Sequence, residues 1–134
     1  DEPTVGLDPK ERVRFRNLIS SFSEEKIVIL STHIVSDVEY IADEILILNH
    51  GRIENRGCAT ELVREIEGKV WECLVQPKSI EEMSMKYMIG NQKHETDGTI
   101  LRVISNEKPT NNAERVQPTL EDLYLYYFRE EAAK

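Results

Sequence analysis

Two short segments of the sequence hold residue types that take part in phosphate and metal chemistry. The first is Asp-Glu-Pro-Thr-Val-Gly-Leu-Asp-Pro, from Asp1 to Pro9, and the second is Ser31-Thr32-His33. Carboxylates bind hard cations and act as general bases toward water, and an imidazole donates hydrogen bonds to anionic oxygens. A single acidic pair or a single histidine is common on protein surfaces. The meaning of these residues therefore depends on the elements that position them.

The first segment leads into a predicted helix. Asp8 is an acidic N-cap, Pro9 stands at the first helical position, and Glu11 occupies the capping-box position. Lys26 to Thr32 follows this helix, and its continuous aliphatic run is typical of a parallel strand that is covered on both faces. His33 is thus predicted at the carboxyl end of a buried strand. The apolar residues at helical spacing, which predict one buried face of the helix, are Phe15, Leu18, Ile19 and Phe22.

The region after His33 continues the alternation of helix and strand. Ser36 and Glu39 form another capping-box pattern, which predicts a second helix with Val38, Ile41 and Ala42 buried. An aliphatic strand at 45–48, a turn at 49–52 and a strand at 53–56 predict a hairpin, and Thr60 predicts the cap of a short helix. The fold class predicted for residues 1–68 is α/β with a parallel sheet, in which ligand sites lie beyond the carboxyl ends of the strands.

Gly68 is the predicted boundary to a small α+β extension at residues 69–134. The clearest element there is the last helix, which begins after Thr119 and has apolar residues at i, i+3, i+4, i+7 and i+8 from Leu120. The other elements predicted in this region are strands at 70–75 and 100–104, a helix at 79–88, a tight turn at Asp97-Gly98 and a loop at 105–118.

The composition limits the classes of partner. Lys and Arg number 17 against 25 Asp and Glu, and the resulting net charge of −8 disfavours binding along a phosphate backbone. The longest aliphatic runs have four residues, far short of the roughly 20 that a membrane-spanning helix needs. Cys58 and Cys73 are not spaced as a Cys-x-x-Cys pair, so the sequence suggests neither a disulfide framework nor a zinc site. We expect a soluble, cytoplasmic chain without a nucleic-acid partner.

The order of these features resembles the ATP-binding subunits of ABC transporters. In that family an Asp-Glu pair closes the Walker B strand, Thr-x-Gly-Leu-Asp is the D-loop, and Ser-Thr-His carries the switch histidine. The resemblance implies that Asp1 holds Mg²⁺, that Glu2 is the general base toward the attacking water, and that His33 hydrogen-bonds the γ-phosphate of ATP. Gly6 and Asp8 would shape the D-loop beside the nucleotide, where it crosses to a partner subunit.

The resemblance covers only part of the catalytic machinery. The sequence contains no Gly-x-x-x-x-Gly-Lys-[Ser/Thr] phosphate loop and no Leu-Ser-Gly-Gly-Gln signature. Gln76, Gln92 and Gln117 all follow the switch histidine, so none of them matches the Q-loop glutamine. We expect the C-terminal part of a P-loop NTPase-type domain that starts within Walker B. Such a fragment would be inactive alone and would expose an apolar face that favours self-association.

The end of the sequence carries a second resemblance. Pro118 to Leu125, Pro-Thr-Leu-Glu-Asp-Leu-Tyr-Leu, is similar to the ending of ATPases that serve drug and antibiotic exporters of the ABC-2 group. This second resemblance favours export over import. The resemblance to ABC ATP-binding subunits as a whole implies a separate transmembrane permease, a second ATP-binding subunit in a homodimer, and a place on the inner face of the cell membrane. The same residues also fit an amphipathic helix that closes a small domain.

Two other functions remain open at this point. A non-transport ABC ATPase of DNA repair or translation would share the Walker B and D-loop residues, and salt-sensitive binding to nucleic acid or ribosomes would favour it. An autonomous regulatory or interaction module would be built from residues 69–134, and a stable proteolytic core beginning near residue 69 would favour that alternative.

Overall fold

The computed structural model of the protein describes residues 2–128. The chain forms two compact units, residues 1–62 and residues 63–134. The elements that begin in the first unit are α1 (Pro9–Ser23), α2 (Val35–Ile41), β1 (Ile45–Asn49), β2 (Arg52–Gly57) and α3 (Ala59–Val63). Those of the second unit are β3 (Val70–Val75), α4 (Ile80–Lys86), β4 (Met88–Glu95), β5 (Gly98–Ile104), β6 (Glu114–Arg115) and α5 (Leu120–Tyr127), with short 3₁₀ turns at Arg64–Ile66 and Pro77–Ser79.

Helix α1 begins where the sequence predicts it. The side chain of Asp8 accepts a hydrogen bond from the backbone N–H of Glu11 at 2.9 Å, and Pro9 stands at the start of the helix. This cap satisfies one of the backbone donors that a helix leaves open at its N-terminus. The apolar face is less covered than predicted, because Leu18 and Phe22 are exposed while the other two apolar residues of that face are half-buried.

The strand predicted at Lys26 to Thr32 does not form among the described residues. Ile27 and Ile29 are 94% and 91% exposed, although both were expected inside a sheet. A strand needs a neighbour whose backbone groups pair with its own. At Ser31 the carbonyl oxygen accepts a hydrogen bond from the backbone N–H of Glu2, at 2.7 Å. The pairings within residues 2–128 are all antiparallel, so this part of the chain is mixed α/β with antiparallel sheets.

The hairpin of the first unit confirms the predicted turn. Strand β1 pairs antiparallel with β2, from Ile45 opposite Gly57 to Asn49 opposite Arg52. At the turn between them, His50 and Gly51 have φ angles of +49° and +76°. Two successive residues with positive φ are typical of the turn whose twist matches that of a hairpin, and glycine enters this region without steric cost.

The second unit is built on a four-stranded antiparallel sheet in the order β4-β5-β3-β6. Its long central pair runs from Val70 opposite Ile104 to Val75 opposite Thr99. Helix α4 packs on this sheet through Ile80 and Met83, which lie against the buried cluster. The predicted strands at 70–75 and 100–104 are confirmed, and the predicted loop holds only the two-residue strand β6. The buried members of the cluster are Trp71, Cys73, Val75, Leu101, Val103 and Ala113.

Helix α5 confirms the predicted start at Thr119 and shows what its motif does. Thr119 and Asp122 form a complete capping box, in which each side chain accepts from the other residue's backbone N–H. The carboxylate of Asp122 also receives two hydrogen bonds from Arg102, from Nε to Oδ1 and from Nη2 to Oδ2, each 2.8 Å long. The same guanidinium donates to Glu72 and to the carbonyl of Gln117. The hydrogen bonds that Arg102 donates to Asp122 are the main reason that the pKa of Arg102 is raised, and desolvation opposes this shift.

These contacts give the Pro-Thr-Leu-Glu-Asp-Leu motif a structural role. Asp122 is buried, and it closes the N-terminus of α5 while anchoring the helix to β5 through Arg102. Arg102 had no distinguishing signal in the sequence, because it stands in an alternating strand and its partner Asp122 lies 20 residues further along the chain.

The helices between residues 2 and 128 are all too short or too polar to span a membrane.

We expect Asp122→Ala to destabilise the second unit by about 2–4 kcal/mol, because it removes the cap and leaves the largely buried Arg102 without its main partner. Urea unfolding followed by circular dichroism measures this change. The matched control is Glu121→Ala, which alters the neighbouring exposed residue of the same turn and should shift stability by no more than about 0.5 kcal/mol. Equal stability losses in the two variants would show that the contacts of Asp122 with Thr119 and Arg102 do not stabilise the second unit.

Burial should also protect one thiol. Cys73 is 2% exposed, and desolvation raises its pKa while the hydrogen bond with Thr110 opposes the shift. Only the thiolate reacts readily with disulfide reagents, so in a Cys58→Ser variant the remaining thiol should label only as fast as the protein unfolds. Rapid labelling under native conditions, measured spectrophotometrically, would contradict the buried position of Cys73.

Candidate functional site

The two segments singled out in the sequence meet in the structure. One carboxylate oxygen of Glu2, Oε1, accepts a hydrogen bond from the backbone N–H of His33 at 2.9 Å and lies 2.7 Å from Nδ1 of the same residue. The side chains are 34% and 73% exposed, so the pair lies at the surface. Glu2 and His33 are 31 residues apart in the chain, and this contact is therefore set by the fold rather than by local sequence.

The backbone of Glu2 is held in an unusual conformation. Its φ angle is +48°, a region that costs a non-glycine residue on the order of 1 kcal/mol and persists only where the surroundings enforce it. Three hydrogen bonds provide that constraint: one from its own N–H to Ser31, and the two that link its side chain to His33. The side-chain hydrogen bond with His33 is the main reason that the pKa of Glu2 is lowered, with a smaller opposing effect of desolvation.

The chain turns sharply between Glu2 and the start of α1. The N–H of Leu7 donates to the carbonyl of Thr4 at 3.2 Å, and Gly6 inside this turn has a φ angle of +85°. An ideal Cβ at Gly6 would meet nothing within 4 Å, so the backbone angle rather than space favours glycine here. Asp8 follows as the N-cap of α1. The structure thus gives Gly6 and Asp8 places in the turn and its exit, while their contact with nucleotide stays a prediction.

The sequence analysis missed a buried polar cluster directly behind this turn. The hydroxyl of Thr4 donates to Oδ2 of Asp37 at 2.5 Å, and these two residues are 3% and 1% exposed. The other carboxylate oxygen of Asp37 lies 3.3 Å from Nη2 of Arg12 and 3.4 Å from Nε of Arg16. Asp37, rather than the predicted apolar residues, is the buried residue of α2.

One signal for this cluster was present in the sequence. Arg12 and Arg16 are four residues apart and therefore share one face of α1. Two arginines on the otherwise inward face of a helix require an acidic partner if they are buried. The sequence does not identify that partner, because Asp37 in the first turn of a short helix has the pattern of an ordinary solvated acid.

Asp1, the predicted metal ligand, lies outside the described residues. Within the described range, from residue 2 to residue 128, no group of three or more His, Cys, Asp and Glu side chains is arranged to hold a metal ion.

The Glu2–His33 pair predicts a titration that nuclear magnetic resonance can follow. A lowered pKa means that the ionised form of Glu2 is favoured in the fold; the contact is kept above the ordinary glutamate pKa and is lost as the pH falls through the folded value. In a ¹³C-detected titration, the midpoint of Glu2 should lie below the ordinary glutamate pKa. His33→Ala removes the main cause and should move the midpoint of Glu2 upward. An unchanged midpoint would show that the pair does not form in solution.

Comparison with known proteins supplies the context for this geometry. The chain is 32% identical to an uncharacterized ABC transporter ATP-binding protein of Synechocystis sp., over 97% of this chain and 39% of the relative. It is 42% identical to an energy-coupling factor transporter ATP-binding protein of Caldanaerobacter subterraneus, over 50% of this chain and 24% of the relative. It is 27% identical to an ABC transporter A family member of Arabidopsis thaliana, over 93% of this chain and 16% of the relative. No family model matches the chain.

The chain spans less than two fifths of the length of each of these relatives. The first match nevertheless includes almost all of this chain, so both units have counterparts there. The homologues of this chain are ABC transporter ATP-binding proteins, which it matches over part of their length.

Proposed function

We propose that this chain is the C-terminal part of an ATP-binding subunit, which in its complete form hydrolyses ATP and drives export through a separate membrane permease. The observation that carries the proposal is the contact of Glu2 with His33, immediately before the sharp turn at Gly6. A carboxylate and an imidazole held together at an exposed turn form a suitable site for water activation beside an anionic phosphate.

The properties of the two side chains agree with these roles. Glu2 is ionised at neutral pH, as a general base toward water must be, because its ordinary pKa is already acidic and the fold lowers it further. His33 is largely exposed, so a phosphate oxygen can reach its ring and accept a hydrogen bond. Asp1 would hold Mg²⁺, which when bound neutralises charge on the phosphates. Gly6 and Asp8 would border the nucleotide through the turn that they shape.

The remaining parts of the ATP-hydrolysing site would come from the rest of the complete protein. A phosphate loop and a signature motif are not present in the sequence, and ATP would be enclosed between two such subunits in a homodimer. The exposed aliphatic residues Ile27 and Ile29 support the proposal that this segment pairs as a strand of a parallel sheet in the complete domain. The subunit would then lie on the cytoplasmic face of the membrane, bound to the permease.

Export, rather than import, is supported by the resemblance of Pro118 to Leu125 to the ABC-2 group. In the structure the same residues cap α5 and connect it to Arg102. The export part of the proposal therefore depends on the resemblance alone. A role in DNA repair or translation gains no support from the net charge of −8.

In the complete protein that contains this segment, Glu2→Gln should lower the ATP hydrolysis rate by about 10²–10⁴-fold, as expected when a general base is removed. ATP binding should remain, because the substitution leaves the size of the side chain unchanged. Phosphate release and nucleotide binding are measured on the same preparations. Glu25→Gln is the matched control at an exposed position after α1, and it should hydrolyse ATP normally. Full activity in Glu2→Gln would refute the proposed role.

The isolated chain should bind Mg-ATP too weakly to detect at micromolar concentration, because it has no phosphate loop. Isothermal titration with Mg-ATP tests this expectation. Saturable binding in the micromolar range would show that the chain forms a nucleotide site by itself.

A further inference from the structure

Half of the buried residues described in the first unit are polar. Within residues 2–62 the buried residues are Thr4, Asp37, Ile45 and Leu62, whereas many of the large apolar side chains are exposed. A carboxylate with 1% exposure is costly to bury unless charged or hydrogen-bonding groups compensate it. Asp37 has three such partners: the hydroxyl of Thr4 and the guanidinium groups of Arg12 and Arg16.

The position of this cluster links it to the exposed pair. Thr4 is two residues after Glu2, and Asp37 is four residues after His33. The contact of Thr4 with Asp37 and the contact of Glu2 with His33 therefore join the same two stretches of chain at two points, one buried and one exposed. The two stretches and their two contacts form a closed ring.

Because the two contacts belong to one ring, the buried contact restricts the geometry of the exposed contact. A side chain that is 73% exposed, as His33 is, has few packing contacts to restrict it. Its backbone, however, immediately precedes the N-cap residue of helix α2, whose first turn holds Asp37. The backbone of Glu2 is likewise followed by the turn that Thr4 begins. Fixing Thr4 on Asp37 thus fixes the backbones from which both exposed side chains extend.

We propose that Asp37 is a positioning residue, which acts through Thr4 to hold Glu2 and His33 in the geometry that ATP hydrolysis requires. This inference rests on the proposed function for its catalytic meaning. Arg12 and Arg16 neutralise the carboxylate and let it remain buried, and the hydroxyl of Thr4 transmits its position to the exposed turn. A substitution of Thr4 can therefore distinguish two roles of the contact. A positioning role depends on the hydroxyl group, whereas simple packing depends only on the shape of the side chain.

The test on this chain compares Thr4→Val with Thr4→Ser. Valine keeps the shape of threonine but cannot donate a hydrogen bond, while serine keeps the hydroxyl. In Thr4→Val, the backbone amide of His33 should exchange with solvent about five-fold faster or more, the change expected for loss of one net hydrogen bond. The ¹⁵N resonance of its Nδ1 should also shift. Thr4→Ser should restore both signals.

Two further variants keep this test decisive. Ile45→Val should lower stability within the same unit while every residue of the cluster stays unchanged, and it should leave the His33 signals as they are. Asp37→Asn removes the charge that Arg12 and Arg16 require and is a harsher probe than Thr4→Val. Thr4→Val stands in for it where Asp37→Asn does not fold. Unchanged His33 signals in Thr4→Val would overturn the inference, as would equal changes in Ile45→Val.

The complete protein separates this inference from the proposed function. Thr4→Val should lower kcat at least about ten-fold while KM for ATP stays within about two-fold, and Thr4→Ser should recover kcat; a factor of ten corresponds to about 1.4 kcal/mol. Normal turnover in Glu2→Gln refutes the proposed function, whatever Thr4→Val does. Loss of turnover in Glu2→Gln with normal kcat in Thr4→Val refutes only the positioning role of Asp37.

Discussion

The buried carboxylate of Asp37 is the constraint on which the first unit depends. A carboxylate at this depth requires charged or hydrogen-bonding partners, and those partners come from separate parts of the chain. Thr4 belongs to the turn that follows Glu2, and Arg12 and Arg16 belong to α1. Satisfying one carboxylate therefore fixes the turn, α1 and α2 relative to one another. The apolar residues of α1 could not do this, since none of them is fully buried.

The second unit also contains a buried aspartate that is paired with arginine. Asp122 is the third residue of α5, as Asp37 is the third residue of α2, and each is buried and paired with arginine. Negative charge is favourable in the first turn of a helix, so both carboxylates lie where the backbone also helps to stabilise them. The difference is in the cap. Asp122 completes a capping box with Thr119, whereas α2 begins after an apolar residue, Ile34, and depends more on its tertiary partners.

Sequence patterns predicted the elements whose signals are local. The Asp8 cap, the turn at His50-Gly51 and the start of α5 at Thr119 all depend on residues within four positions of each other. The strand expected at 26–32 failed because a strand is stabilised by a partner strand, which no local pattern supplies. The site divides in the same way. The roles of Glu2 and His33 were predicted only through a family resemblance, which did not predict their mutual contact, and the burial of Asp37 depends on arginines 21 or more residues away.

The buried polar contacts explain why Glu2 and His33 can be well placed in a unit with a small apolar centre. Hydrophobic burial is non-directional and scales with area, so it can hold segments together without specifying the orientation of a surface side chain. Hydrogen bonds to a buried charge have fixed distances and directions, and leaving one unmade is costly. The exposed aliphatic residues Ile27 and Ile29 contribute no burial in this chain, yet Glu2 still lies within hydrogen-bond distance of His33. In the role proposed for Asp37, the geometry of the pair is therefore a consequence of the polar cluster. Within the proposed complete domain, a parallel sheet formed around Ile27 and Ile29 would add stability to this arrangement without having to create it.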